Sequence, residues 1–133
     1  MKKVLITGGA GFIGSNLALY LLQKGYSVTV LDNLSEQVHG SNPEQTSPLY
    51  NSILGKVNFI RGTVTSKSDW KKAIADNEVI VHLAAETGTG QSMYQVSHYI
   101  DTNIGGTAIM LDFLTNDKTG VKKVVVASSR AIY

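Results

Sequence analysis

The sequence predicts an α/β fold in which a parallel sheet is doubly wound, with helices on both of its faces. Short, almost unbroken apolar runs alternate with segments whose apolar residues recur at three- and four-residue spacing. These are the patterns of strands buried on both faces and of amphipathic helices. The first apolar run also breaks directly into a glycine-rich turn that leads into a helix. With right-handed crossovers, the predicted strand order is 3-2-1-4-5.

The first strand and the glycine-rich turn lie within residues 4–14, where three glycines form the pattern G-x-x-G-x-x-G. Gly8 permits a tight strand-to-helix turn, Gly11 lets a pyrophosphate approach the backbone, and Gly14 lets the helix pack closely on the strand. The unpaired N–H groups of the first helical turn then face the anion. An ordinary turn that happens to hold three glycines is the alternative interpretation.

The second apolar run, residues 27–31, ends in Asp32. At this distance from the glycines, a dinucleotide-binding (Rossmann) fold places the acid that accepts the hydroxyls of the adenosine ribose. The charge of Asp32 repels a 2′-phosphate, so the sequence favours NAD over NADP. In the alternative interpretation, Asp32 only begins a turn with Asn33.

The remaining elements follow from the same patterns. The first helix is predicted over residues 11–24, with a left-handed cap at Gly25. Residues 33–55 are polar, and we expect a long connection with one short helical turn near residues 49–54. A capping-box-like pattern at residues 66–69 predicts the start of another helix. The last three strands are predicted at residues 57–61, 78–83 and 122–127.

A long helix is predicted after the fourth strand. Its apolar residues recur at three- and four-residue spacing: Met93, Val96, Ile100, Ile104, Ala108 and Leu111. This pattern predicts one continuous helix that buries the face these residues share. The glycine pair at positions 105 and 106 either bends the helix or allows close packing.

Ligands of such folds bind beyond the carboxyl ends of the strands. The polar and glycine-rich segments of this chain fall at that edge: the turn at 8–14, Asp32, Thr63, the loop at 84–91 and the serines at 128 and 129. We therefore expect the binding site there.

Composition limits the classes of function. The chain has 133 residues, about one domain, and a net charge of +2 with scattered lysines, so we expect no nucleic-acid or membrane surface. No apolar run has the length of a membrane span, and there is no cysteine for a disulfide or a thiolate metal site. A cytoplasmic location is the expectation. His39 and His98 have no acid at ligand spacing, so no metal site is predicted.

Five motifs occur in one order along the chain: T-G-G-A-G-F-I-G at 7–14, L-D-N-L at 31–34, H-L-A-A at 82–85, D-T-N-I-x-G-T at 101–107 and S-S-x-x-x-Y at 128–133. With these motifs the sequence resembles the extended short-chain dehydrogenase/reductase family. Within it, the resemblance is to the NAD-dependent nucleotide-sugar epimerases and dehydratases. It implies a nucleotide-sugar substrate for the full-length protein.

The resemblance also implies roles for single residues. Ser129 matches the catalytic Ser or Thr, which hydrogen-bonds the sugar hydroxyl undergoing oxidation. Thr63 stands where the family has an Asp that accepts from the adenine amino group; it can still accept, without charge assistance. The implied cofactor-binding residues are Gly8, Gly11, Phe12, Ile13, Gly14, Asp32, Asn33, Thr63, Val64, Leu83, Ala84, Ala85, Thr87 and Thr102.

One part of the family's machinery is missing. Its members carry a Tyr-x-x-x-Lys pair on the helix after strand five, in which the Tyr is the general base and the Lys lowers its pKa. This sequence stops at Tyr133. We therefore expect residues 1–133 to be the NAD-binding N-terminal portion of a longer enzyme, without the catalytic helix and the substrate domain, and inactive alone.

Two residues spell the missing pair by coincidence. Tyr20 and Lys24 share one face of the first helix, but they lie at its far end from the expected site, so we interpret them as an ordinary surface pair. His82 is interpreted as a structural histidine whose ring is hydrogen-bonded. Glu86 is expected either to touch the sugar or to be a solvated loop acid.

By resemblance, the reaction of the full-length protein is 4-epimerisation of a nucleotide-linked hexose through transient oxidation at C4. Dehydratases of the family carry Asp-Glu after the catalytic Thr, whereas here Arg130 and Ala131 follow Ser129. A dehydratase or decarboxylase of the same family is the alternative, and so is a non-catalytic, redox-sensing module. The resemblance also implies a homodimer for the full-length protein, through the long helix after strand four together with the helix that bears the catalytic pair.

Overall fold

The computed structural model describes residues 2–129, and in this range five parallel strands form one sheet in the order β3-β2-β1-β4-β5. The strands span Lys3–Thr7 (β1), Ser27–Asp32 (β2), Asn58–Arg61 (β3), Val79–His82 (β4) and Lys123–Val126 (β5). The fold class and the strand order are therefore as predicted. The sequence predictions made on Arg130, Ala131 and Tyr133 lie outside the described residues.

Each of the four connections between consecutive strands contains at least one helix. The helices span Phe12–Gln23 (α1), Glu36–His39 (α2), Pro43–Thr46 (α3), Pro48–Ile53 (α4), Lys67–Ile74 (α5), Thr89–Ser92 (α6), Val96–Ile100 (α7) and Gly106–Asn116 (α8), with a π-helical segment at Asp101–Gly105 joining the last two. In this described part of the chain, no helix has the length and apolarity needed to cross a membrane.

The two faces of the sheet carry separate apolar cores, because side chains alternate along each strand. Val4 and Ile6 of β1 pack with α1 and α4 on one face. Leu5, between them, packs on the other face with α5 and α8, where Trp70 is fully buried. This alternation is what a doubly wound sheet requires.

The connection from β2 to β3 is more structured than predicted. Instead of one helical turn it holds three short helices, of which two begin with a proline at the first turn, Pro43 and Pro48. Ser47 caps α4, because its hydroxyl accepts the Tyr50 amide at 3.2 Å. Tyr50 then packs edge-on against Phe59 of β3, which ties the connection to the sheet.

The prediction that one continuous helix buries the face of Met93, Val96, Ile100, Ile104, Ala108 and Leu111 was wrong. All six residues are exposed, Ile104 by 64%. The face that packs on the sheet instead holds Thr102, Gly106 and Met110, four residues apart. Two of these are small or polar, so a search for apolar periodicity selects the opposite face. The glycine pair serves close packing, since Gly106 lies directly on Val64.

Adding a methyl group at each of two adjacent glycines tests this packing. Gly106→Ala places a Cβ 2.6 Å from Val64 Cγ2, and Val64 is buried, so we expect the free energy of unfolding to fall by about 1–3 kcal/mol. Gly105→Ala is the matched control, because its Cβ meets only the Ile100 carbonyl oxygen at 3.8 Å. We expect it to stabilise by up to about 1 kcal/mol through helix propensity. Urea denaturation measures both changes, and equal losses would contradict the close contact with Val64.

Candidate functional site

Three polar residues meet where the central strands end. Thr7 lies opposite Leu31 of β2 and opposite His82 of β4, and Asp32 is the last residue of β2. All of these strands are parallel, so their carboxyl ends form one edge of the sheet. The glycine turn leaves β1 at the same edge, which is where the sequence placed the binding site.

The glycine turn approaches its surroundings too closely for any side chain at two positions. Gly8 has φ +69°, and a Cβ there would lie 2.8 Å from the Ala84 amide nitrogen. A Cβ on Gly14 would overlap the Gly8 carbonyl oxygen and lie 2.6 Å from Gly9 Cα. These are the uses predicted for Gly8 and Gly14. Because the turn is pressed against neighbouring backbone, α1 begins directly above the end of β1.

The beginning of α1 leaves its amides available. Gly11 is the N-cap residue and has no side chain, so no side-chain hydrogen bond caps the helix. Over Gly11 the surface is open, since an added Cβ would meet only the Gly8 carbonyl oxygen, at 3.3 Å. Phe12 and Ile13 are exposed by 75% and 67%. Unpaired amides at the positive end of a helix, with open space before them, fit a diphosphate.

Asp32 faces this turn. Its Oδ2 accepts the Ala10 amide at 3.0 Å, and its Oδ1 accepts the Leu34 amide at 2.9 Å. The residue is 9% exposed. An ionised carboxylate offers about four acceptor positions, so these two amides leave about two for other donors. The carboxylate is thus oriented by backbone on both sides and retains the capacity to bind a pair of hydroxyls.

A chain of hydrogen bonds connects β1, β4 and α8 beneath the site. The Thr7 hydroxyl accepts the Leu83 and Ala84 amides, both at 3.1 Å, so its own proton goes to His82 Nδ1 at 2.7 Å. The proton of the imidazole is then on Nε2, which donates to the Thr107 hydroxyl at 3.0 Å. The prediction of a structural, hydrogen-bonded His82 is confirmed. Burial lowers the pKa of His82 below its usual value of 6.5.

The loop after β4 is held by a residue that the sequence analysis missed. Asn103 donates to the Glu86 carbonyl oxygen at 3.0 Å and accepts the Glu86 amide at 2.8 Å. The Glu86 carboxylate pairs with His98 Nε2 at 3.1 Å, so it is not a solvated acid. The signal was present, because Asn103 stands inside the motif at residues 101–107. Among the described residues, no three His, Asp or Glu side chains gather closely enough to hold a metal ion.

Three of the predicted cofactor-binding residues line one cavity of about 360 Å³: Asn33, Thr63 and Thr102. They come from three separate connections, which the fold brings together at this edge. The Thr63 hydroxyl accepts the Thr65 amide at 3.2 Å, so it is partly engaged within its own turn. Asp101 lies in the same wall and supplies a carboxylate that the sequence analysis did not assign to the site.

The other predicted residues have different surroundings. Val64 is buried in the apolar core, and its carbonyl oxygen accepts the Trp70 indole N–H at 2.7 Å. Ala85 and Thr87 are exposed on the loop after β4, and Ser129 is exposed after β5. These roles remain predictions.

The Tyr-x-x-x-Lys pair of α1 lies at the surface, as predicted. Lys24 is exposed and Tyr20 is 55% exposed. The Lys24 ammonium nitrogen is 5.5 Å from the centre of the Tyr20 ring, an ordinary cation–π distance. α1 runs away from the site, so this end of the helix is remote from the glycine turn.

Residues 4–133 match the model of the NAD dependent epimerase/dehydratase family. The chain belongs to this family. The resemblance carried by the sequence motifs is therefore confirmed. The cofactor prediction is confirmed at the level of the family, which is NAD dependent by its description.

Similar proteins and solved structures support the same family membership. The chain is 37% identical to a dTDP-L-rhamnose 4-epimerase from Burkholderia thailandensis, over 99% of the chain and 36% of that protein. It superimposes with a TM-score of 0.81 on a UDP-glucose-4-epimerase from Stenotrophomonas maltophila with bound NAD and formylated UDP-arabinopyranose, with 26% identity, over 100% of the chain and 38% of the other. A second structure is the NAD dependent NDP-hexosamine 5,6-dehydratase TunA, with a TM-score of 0.72 and 34% identity, over 97% and 37%. The chain thus spans little more than a third of these epimerases and of this dehydratase.

The lowered pKa of the buried His82 predicts that the stability of this chain depends on pH. His82 has a pKa below 6.5 in the folded state, so between that value and pH 6.5 the unfolded chain binds a proton that the folded chain does not. Stability is therefore complete above about pH 6.5 and falls as the pH drops, by up to about 1.4 kcal/mol per pH unit. Denaturant unfolding from pH 7.5 to pH 5 measures this slope.

The control for this slope is a second histidine. His82→Gln should flatten the curve below pH 6.5, whereas His98→Gln, at a half-exposed position, should leave the contribution of His82 in place. A curve that is unchanged in His82→Gln would contradict the assignment.

Proposed function

We propose that this chain is the cofactor-binding N-terminal part of an NAD-dependent nucleotide-sugar 4-epimerase. One observation carries the proposal: the Asp32 carboxylate is held at the glycine turn by the Ala10 and Leu34 amides, with acceptor positions left for a ribose. The two epimerase relatives support the reaction, since each carries out a 4-epimerisation by its name. The share of each relative that the chain spans supports the division into a cofactor-binding part and a remainder.

Each group of residues has one task in this proposal. The amides at the start of α1 hold the diphosphate, Asp32 accepts the hydroxyls of the adenosine ribose, and residues 83–85 line the nicotinamide side. Ser129 hydrogen-bonds the hydroxyl of the sugar and keeps its carbon oriented. When bound, NAD would supply the redox chemistry that transient oxidation at C4 of the hexose requires.

The closest competing reaction is that of a dehydratase or decarboxylase, and TunA supports keeping it as the alternative. Epimerisation is favoured because Arg130 and Ala131 follow Ser129, where a dehydratase of the family has the Asp-Glu that manages elimination. A non-catalytic NAD-binding or redox-sensing module is the other alternative. Tyr20 and Lys24 form the single Tyr-x-x-x-Lys of the sequence and lie away from the site, so we propose that the 133-residue chain binds NAD without turnover.

We also propose that the full-length protein is a homodimer. Four large apolar side chains lie exposed on one side of α7 and α8 and the segment between them: Val96, Ile100, Ile104 and Leu111. A row of this size on a helix surface is costly in water. A second copy of the same helices covers it in this proposal.

Calorimetric titration of NAD and NADP tests the role of Asp32. We expect the chain to bind NAD more tightly than NADP, because the carboxylate repels a 2′-phosphate. Asp32→Asn removes the charge and should weaken NAD about ten- to hundredfold, while the preference over NADP narrows. Asp117→Asn, at an exposed position after α8, is the control and should change neither. Equal binding of the two dinucleotides by the unaltered chain would contradict the proposed role.

Kinetics of the full-length protein test Ser129. We expect Ser129→Ala to lower kcat by about a hundredfold or more, since removing one hydrogen-bonding group positioned at a reacting oxygen costs about 10²–10³ in kcat. The dissociation constant of NAD should change less than threefold, because Ser129 acts on the sugar. Ser128→Ala is the neighbouring control, with kcat retained. An unchanged kcat in Ser129→Ala would remove Ser129 from the mechanism.

A further inference from the structure

A second polar cluster lies behind the Asp32 carboxylate. His39 ends α2, and its side chain is 2% exposed. Its Nδ1 lies 2.7 Å from the Ser47 hydroxyl oxygen, and its Nε2 lies 3.9 Å from Asp32 Oδ1. The fold thus aligns Ser47, His39 and Asp32 in a row, although they come from the junction of α3 and α4, the end of α2 and the end of β2.

The Asp32 carboxylate, 3.9 Å from Nε2, favours one tautomer of His39, and the Ser47 hydroxyl can accommodate it. The Ser47 hydroxyl already accepts the Tyr50 amide at 3.2 Å, and a hydroxyl has one proton to donate. Donating that proton to His39 Nδ1 satisfies both groups, and the imidazole then carries its own proton on Nε2. That N–H is directed towards Asp32. In the opposite tautomer a lone pair of Nε2 would stand against the carboxylate.

This row does not have the chemistry of a nucleophilic triad. The Ser47 side chain is buried, with 3% of the residue exposed, and its oxygen caps α4. A nucleophile needs access to a substrate and a base that takes its proton. The remaining role for His39 is its interaction with the Asp32 carboxylate.

We propose that His39 is a positioning residue for the ribose site: its Nε2 N–H holds the Asp32 carboxylate in the orientation that accepts the ribose hydroxyls. This inference rests on the proposed NAD function. At 3.9 Å the N–H attracts Oδ1 without occupying it as a hydrogen bond, so the acceptor positions stay open. The Ala10 and Leu34 amides hold the carboxylate by hydrogen bonds, and His39 faces it from the end of α2.

The backbone around His39 is itself constrained. The His39 carbonyl oxygen accepts the Thr46 hydroxyl, and Gly40, the next residue, has φ +78°. Only glycine adopts that conformation without strain. The turn between α2 and α3 therefore fixes the backbone position from which the His39 ring extends towards Asp32.

Two substitutions test the two ring nitrogens of His39 one at a time. The amide nitrogen of Gln reaches the position of Nε2, so His39→Gln keeps a donor towards Asp32 and loses the bond to Ser47. Asn reaches the position of Nδ1, so His39→Asn keeps the Ser47 bond and loses the donor. We expect His39→Gln to bind NAD within about threefold of the unaltered chain and His39→Asn to bind about tenfold more weakly. Equal weakening in both variants would overturn the proposal.

A ligand without ribose hydroxyls distinguishes positioning from a general loss of structure. For 2′,3′-dideoxy-ADP we expect the two variants and the unaltered chain to bind alike, since no hydroxyl engages Asp32. If His39→Asn weakens this ligand as much as NAD, the proposal fails. Failure of the unaltered chain to bind NAD at all would instead reject the proposed function.

The tautomer can be read without any variant. In the ¹⁵N spectrum of the unaltered chain at pH 7.5, long-range couplings to the ring protons identify which nitrogen is protonated. We expect the Nε2–H form for His39. Protonation at Nδ1 would overturn the inference, whatever the affinities of the variants.

Discussion

The site depends on backbone-to-backbone packing at the end of β1. Gly8 lies against the Ala84 amide and Gly14 against the Gly8 carbonyl, at distances that no Cβ atom tolerates. This packing places the first turn of α1 above the edge of the sheet, beside the segment that follows β4. Any larger residue at these two positions would move α1 outward, and the unpaired amides would no longer converge on one point.

The same edge needs a polar interior, because strand ends leave backbone groups to satisfy. The Thr7 hydroxyl accepts two amides of the loop after β4 and donates to His82, which donates in turn to Thr107. Each of these hydrogen-bonded side chains has a partner, and burial keeps His82 neutral by lowering its pKa. Asn103 then clamps Glu86. The loop is therefore shaped before any ligand arrives, which reduces the ordering that binding would require.

The features that the sequence predicted depend on local backbone conformation and on general rules of chain connection. The glycine turn follows from backbone conformation, and the strand order follows from right-handed crossovers. The buried face of α8 was missed because its contacts are made by Gly106 and Thr102, which carry no apolar signal. His39 and Asp32 meet only because the residues between them turn into the short helix α2, and no residue spacing predicts that contact. The local backbone conformation could thus be predicted from the sequence, whereas side-chain contacts across irregular segments could not.

A carboxylate beside a diphosphate site raises an electrostatic question, since like charges repel. In this chain the Asp32 carboxylate accepts two backbone N–H groups and faces the His39 ring. These dipoles compensate part of its negative charge. The positive end of α1 lies on the other side of the turn. In the proposed site, a diphosphate at α1 would face the positive end of a helix as well as a carboxylate whose charge is partly compensated. A 2′-phosphate on the ribose has no such helix to face and meets the carboxylate directly. The proposed preference of this site for NAD over NADP follows from this difference between the two phosphate positions.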